Sequence, residues 1–191
     1  MKKEILFAPR LDSDRLTLRT ITLDDLEFVF SHFSDPHVHK YLVDEEPVTS
    51  EQEAKAIIQW ASNPVDITCN RWIIQLRENG QPVGTCGFHN WDQQNNRVEI
   101  GYDLSQSHWR RGITCEAVDM MIQSGFERMG LNRIEAYVHL NNIGSADLLR
   151  KLGFQLEGIV RDKHLFRGQY YDHYCFSLLK SDLSDLSEST G

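Results

Sequence analysis

An α+β fold, in which a mostly antiparallel sheet has helices inserted between groups of strands, is predicted by three features of the 191-residue sequence. Strand-like patterning, most of it alternating apolar and polar residues, recurs in seven separate segments. Helical patterns cluster after the first of these, and short polar turns join the middle ones directly to one another.

The elements follow in order. Arg15 to Arg19 alternates as a half-buried strand should. Thr22 and Asp25 form a capping-box pattern, with Asp in place of Glu, that opens a helix carrying Leu23, Leu26, Val29, Phe30 and Phe33. Asp35-Pro36 supplies an N-cap and first-turn proline for a second, short helix. Ser50 to Glu53 is a fuller capping box, followed by the stripe Ala54, Ile57, Ile58 and Ala61. From Trp72 to Arg77 and Val83 to Trp91 the period is two, with Asn79-Gly80 as the connecting turn. Gln93 to Asn96 turns the chain into a further strand, Val98 to Leu104, completing a meander. A helix is expected from Gly112 to Met129 with Gly130 behind it, then a strand from Arg133 to Val138. Asn142 is the expected N-cap of a helix ending at Lys151-Leu152-Gly153, and Phe154 to Val160 and Tyr170 to Leu179 are the closing strands. Residues 1–180 read as one domain and 181–191 as a flexible acidic tail.

Composition removes several function classes. A net charge of −8 opposes adhesion to nucleic acid or anionic membrane, both of which need clustered Lys and Arg. No apolar run reaches the roughly 20 residues of a membrane span, and Pro9 and charges interrupt the N-terminal apolar stretch, so the cytoplasm is the expected location. Cys69, Cys86, Cys115 and Cys175 lack the spacing and histidine partners of a zinc or thiol-redox motif and read as reduced structural thiols. His37 and His39 do not share a helical face, so no metal pair is expected.

The junction from strand to helix over residues 98–118 is the most informative stretch. Arg110, Arg111 and Gly112 feed a helix N-terminus, where free amides, the positive dipole end and two guanidinium groups suit a pyrophosphate. Taken alone, this is equally a charged surface turn.

The wider pattern resembles the GNAT superfamily of acetyl-coenzyme A-dependent N-acetyltransferases, and within it the Rim-type ribosomal-protein alanine N-acetyltransferases. The matching pieces are Asp14-Arg15-Leu16-Thr17-Leu18-Arg19, Glu99-Ile100-Gly101-Tyr102, Trp109 with Gly112 and Glu116-Ala117, and Asn132-Arg133-Ile134. Asn142 with Ser145, Leu152-Gly153-Phe154, Glu157-Gly158 with Arg161, and Gly168 with Asp172 continue it, so that the likeness spans residues 14–179. The resemblance implies about seven strands with a splayed central pair. The pantetheine arm of the cosubstrate acetyl-coenzyme A would pair with the strand through Tyr102 and Leu104. The diphosphate would rest on the amides of Arg110, Arg111, Gly112, Ile113 and Thr114, with Asn142 and Ser145 beside the thioester. Two departures stand out: Ser107 and Arg110 occupy positions where the family loop usually has Gln or Arg and a glycine, and Leu149 replaces the tyrosine many members use as an acid.

Direct transfer needs a base for the ammonium, because an alkyl ammonium is protonated at neutral pH, and a proton for the departing thiolate. The resemblance offers Glu99 or His164 as base and Ser145 as proton donor. Glu99 could equally be an exposed strand residue paired with Arg97 or a lysine, and Asp172 is given no chemistry. Phe30, His32, Phe33, His37, His39 and Tyr41 fall where the family builds its acceptor wall, with core packing explaining most of Phe30 and Phe33, and the loops around 34–48 and 161–169 would choose the acceptor. That acceptor is a protein N-terminal amine or a small amine such as a polyamine, amino acid or amino sugar. A non-catalytic acyl-coenzyme A sensor is the alternative from another class, and a homodimer is common among similar proteins.

Overall fold

The computed structural model describes residues 7–63 and 68–183. Among these residues eight strands make one sheet: β1 (Arg10–Asp12), β2 (Leu16–Thr20), β3 (Trp72–Leu76), β4 (Pro82–Asp92), β5 (Arg97–Leu104), β6 (Arg133–His139), β7 (Gln155–Phe166) and β8 (Gln169–Leu179). Their order is β1-β2-β3-β4-β5-β6-β8-β7. All neighbours are antiparallel except β5 and β6, which run parallel. The helices are α1 (Leu26–Phe33), α2 (Pro36–His39), α3 (Glu51–Ala61), α4 (Ile113–Arg128) and α5 (Ile143–Lys151), and residues 180–183 add one helical turn.

The two faces of the sheet are covered separately. On β3, Trp72 and Ile74 pack with α4 and α5 through Ala117, Val118, Met121, Phe126 and Leu149, whereas Ile73 packs with α1 and α3 through Val29, Phe33, Ala54 and Ile58. Alternation along a strand turns neighbouring side chains to opposite faces, so these are two cores, one on each side. Each fully buried aliphatic or aromatic side chain contributes roughly 1.5–3 kcal/mol.

The predicted helix signals form, with adjusted ends. Asp25 accepts the Thr22 N–H at 2.9 Å and is bound by Arg19 at 2.6 and 2.8 Å, but a 3-10 turn, Leu23–Asp25, precedes α1. Asp35 and Ser50 accept the amides of His37 and Glu53, and Gly112 caps α4 from outside, so that helix begins at Ile113. The eighth strand, β1, is only three residues long and follows Pro9, too short to show a period.

The largest correction concerns the loop expected around 161–169. β7 and β8 instead continue as a long hairpin closed by Arg167 and Gly168, both in the left-handed region at φ 50° and 78°, as a tight hairpin turn requires. A register slip between Val160 and His164, with Asp162 at φ 52°, bends β7, and Asp172 holds the bend by accepting the Asp162 N–H at 2.9 Å. From residue 184 onward the expected tail lies outside the described residues.

Candidate active site

The central pair of strands separates. β5 and β6 are in register only at Arg97–Arg133, Val98–Ile134 and Glu99–Glu135. Beyond Glu99, β5 runs on to Leu104 and β6 to His139 without pairing to each other. Ser105 N–H bonds to Val83 C=O at 2.9 Å, so by antiparallel alternation the backbone groups of Ile100, Tyr102 and Leu104 face the opening. The cleft formed here has a volume of about 1050 Å³, and Glu99, Tyr102, Leu104, Arg110, Gly112, Ile113, Thr114, Asn142, Ser145 and His164 all line it.

One mouth of the cleft is the loop into α4. Glu116 N–H is the first of the helix to find an acceptor, Gly112 C=O at 3.1 Å, and the amides of residues 110–115 have none among the described residues. Gly112 lies at φ 75° and Arg110 at φ 60°, so the arginine adopts a backbone conformation that glycine accepts more easily. Free amides at a dipole's positive end suit a pyrophosphate. The Leu104 carbonyl, expected to bind pantetheine, instead accepts the Trp109 indole N–H at 2.8 Å, leaving Ile100 and Tyr102 to offer backbone to a ligand in the opening. Arg111 turns away to a smaller pocket shared with Arg15 and Arg77.

Two distant sequence fragments prove to be one clamp. Glu116, in the first turn of α4, accepts Ser13 Oγ at 2.6 Å and Arg15 Nε at 2.7 Å, and Arg15 Nη1 also donates to Arg111 C=O at 3.1 Å. The phosphate loop is thereby tied to the start of β2. Arg133 and Glu157 likewise join β6 to β7 by two bonds, of 2.7 and 2.6 Å.

Across the opening, Tyr102 of β5 meets Ser145 of α5, hydroxyl to hydroxyl at 2.8 Å. Asn142 caps α5 by accepting the Ser145 N–H at 3.2 Å, which fixes the serine in the first turn. Burial holds the Tyr102 phenol well above its ordinary pKa, against the opposing bond to Ser145, so it stays protonated and able to donate. Leu149, at the position of the usual tyrosine, is fully buried in the core. A phenol from β5 meets Ser145, a partnership the sequence did not mark.

Glu99 stands where the strands begin to part, and among the described residues it makes no ion pair; Arg97 binds Asp92 and Glu135 instead. His164 is on β7, two strands beyond β6, with its ring 4.9 Å from that of His173. His139 on β6 lies 5.8 Å from His173, so three imidazoles gather at the far wall, and burial together with His164 pulls the His173 pKa down to about 4.

The other face of the site comes from the early helices. Phe33, His37 and Tyr41 line the cleft as expected, while Phe30 and His39 do not. His32 turns inward: its Nε2 meets Asp103 at 2.6 Å and its Nδ1 meets Ser105 Oγ at 3.1 Å. Thr85 Oγ donates to Asp103 at 2.6 Å and Arg71 pairs with it at 3.3 Å. Burial raises the Asp103 pKa, but His32, Arg71 and Thr85 outweigh it and hold the carboxylate ionised.

A family model described as an acetyltransferase (GNAT) domain matches residues 15–155. An uncharacterized N-acetyltransferase, p20, of Bacillus licheniformis is 42% identical over 173 residues, covering 90% of this chain and 97% of its own. The ribosomal protein uS5-alanine N-acetyltransferase of Escherichia coli is 34% identical over 83 residues, 44% of this chain and 43% of its own. The crystal structure of spermidine N-acetyltransferase from Vibrio cholerae, in complex with CoA and spermine, superposes with a TM-score of 0.78 at 20% identity, covering 89% of this chain and 98% of that one. No described helix is long and apolar enough to cross a membrane. Matched by the family model over most of its strands and by a relative along nine-tenths of its length, the chain belongs to the GNAT acetyltransferases.

Proposed function

We propose that this chain transfers acetyl from acetyl-coenzyme A to a primary amine by direct attack, with Glu99 as the base and the Tyr102–Ser145 pair as the source of a proton for the departing thiolate. The observation that carries the reading is the hydroxyl pair, 2.8 Å apart on opposite walls of the opening between β5 and β6. Acetyl-coenzyme A supplies the activated thioester. The amides of residues 110–115 suit its diphosphate, and the backbone of Ile100 and Tyr102 suits its arm. Glu99, without a cationic partner among the described residues, takes the ammonium proton on a carboxylate oxygen and leaves a lone pair free to attack. Ser145 passes a proton to sulfur and takes one from the Tyr102 phenol, which is restored, through water, by the second proton that the nitrogen loses as the amide forms. A phenol in this position answers the lack of one at Leu149, which favours catalysis over a sensor role.

The acceptor we infer is the α-amine of a peptide or protein N-terminus. The support is the partial likeness to the alanine N-acetyltransferase of Escherichia coli, which at 34% identity outweighs a fold likeness to a polyamine enzyme at 20%. The test is release of free thiol from acetyl-coenzyme A with hexapeptides beginning in Ala, Ser or Met, spermidine, and free amino acids. Turnover on a peptide is expected, and E99Q should lower kcat about 100-fold or more while H164Q stays within about threefold. The reverse pattern moves the base to His164. Turnover on spermidine alone moves the acceptor class, and binding without turnover on any amine overturns the enzyme reading.

A further inference from the structure

β4 places a histidine beside Glu99 that neither the motifs nor the mechanism above employ. His89 is the cross-strand partner of Glu99, so both side chains leave the sheet on one face with Cβ atoms roughly 4.5–5.5 Å apart. The next residue on that face of β5 is Gly101, and a Cβ built there falls 2.9 Å from His89 Nε2. The imidazole thus fills the space that any side chain at position 101 would occupy. Trp60 of α3 covers the ring from the other side, with centroids 5.8 Å apart and planes within 10° of parallel.

The clamp holds the ring at the lining of the cleft, and among the described residues neither nitrogen has a hydrogen-bond partner. Immediately after His89 the β4–β5 ladder slips, with Asn90 at φ 52°, a bulge of the kind that re-aims a side chain next to a site. Burial, helped by the charge of Arg71 and opposed by Asp103, takes the His89 pKa down to about 4. The ring is therefore neutral at ordinary pH, with one nitrogen a donor and the other a free acceptor.

We propose that His89 contacts the acceptor: its unprotonated ring nitrogen accepts a hydrogen bond from the amine nitrogen, next to the Glu99 carboxylate that removes a proton from the same atom. Two acceptors on adjacent strands then hold two N–H groups of an ammonium, and once Glu99 has taken its proton the bond to His89 keeps the neutral amine in place while its lone pair turns to the thioester carbon. Gly101 and Trp60 are the positioning residues that keep the imidazole there. The inference rests on the reading of Glu99 as the base.

The test uses whichever panel amine turns over fastest. H89L should raise the KM for the amine tenfold or more and leave the KM for acetyl-coenzyme A within twofold, while H89Q, which keeps an acceptor, stays within threefold. G101A should reproduce H89L with the histidine still present, because its methyl and Nε2 cannot share the space. A wild-type amine KM and kcat in H89L, or an equal rise in both KM values, overturns the proposal. If H89L does not fold, a wild-type amine KM in G101A overturns it. A silent E99Q with an impaired H89L would remove the base and leave His89 standing, so the two failures are distinguishable. Should no panel amine react, protein labelled with 15N-histidine is titrated with n-propylamine at saturating coenzyme A. A shift of the His89 ring nitrogens supports the contact, and no shift overturns it.

Discussion

Replacing Arg110 by glycine and, separately, by alanine tests whether the phosphate loop imposes its own backbone geometry. At φ 60° any residue with a Cβ pays roughly 1–2 kcal/mol, and alanine keeps that cost while losing the guanidinium. Glycine removes it but adds about 0.5–1 kcal/mol of unfolded-chain entropy. The net expectation is that R110G is more stable than R110A by about 0.5–1 kcal/mol, or about 1–4 °C in Tm for a chain of this size. Thermal unfolding followed by circular dichroism, without ligand, reads the difference. Calorimetry with coenzyme A should show both variants weakened by the same modest factor, about two- to fivefold, because the exposed guanidinium adds one screened phosphate contact while the backbone amides remain. R110G no more stable than R110A would refute the claim that the loop forces a left-handed residue at this position.

Three other outcomes follow from the same geometry. D103N should cost about 3–5 kcal/mol in urea unfolding at pH 7, since it leaves Arg71 and His32 buried without their carboxylate. The Asp103 pKa lies below its ordinary value, so its contribution is complete above about pH 4 and lost as pH falls through the lower folded value; the wild-type advantage over D103N should shrink in that range. L149Y should destabilise by about 1–3 kcal/mol, because the site is fully buried, and should not restore turnover to Y102F in the thiol-release assay. Y102F and S145A should each lower kcat by about tenfold or more, and the double variant should be no worse than the poorer single, since both act on one proton; multiplicative losses would mean separate roles.

Much of this was legible in the residues. Periods of 2 and 3.6 located seven of the eight strands and the helices, and the loop residues Arg110 and Gly112 stood at the right junction because phosphate binding depends on local backbone, which local sequence encodes. Residues 161–166 did not read as strand because Arg161 to His164 is a run of four polar side chains and the apolar Leu165 and Phe166 are adjacent, leaving no apolar alternation to detect. The partnership of Tyr102 with Ser145 was hidden by their separation of 43 residues in the chain, although each was marked for a different reason. His89 was missed because a strand pattern tells which side chains share a face, not which face borders an opening. The signal available was Trp60, an aromatic lying off the apolar stripe of α3 and 41% exposed.

The short ladder between β5 and β6 has a thermodynamic consequence. Three register positions join the two halves of the sheet, and past them the strand edges are left for whatever lodges between. A molecule that bridges those edges acts as an interior strand, and at a hundredfold excess over its Kd it adds about 2.7 kcal/mol to the folded state. The lifetime of this protein against proteolysis should therefore rise and fall with the supply of that molecule.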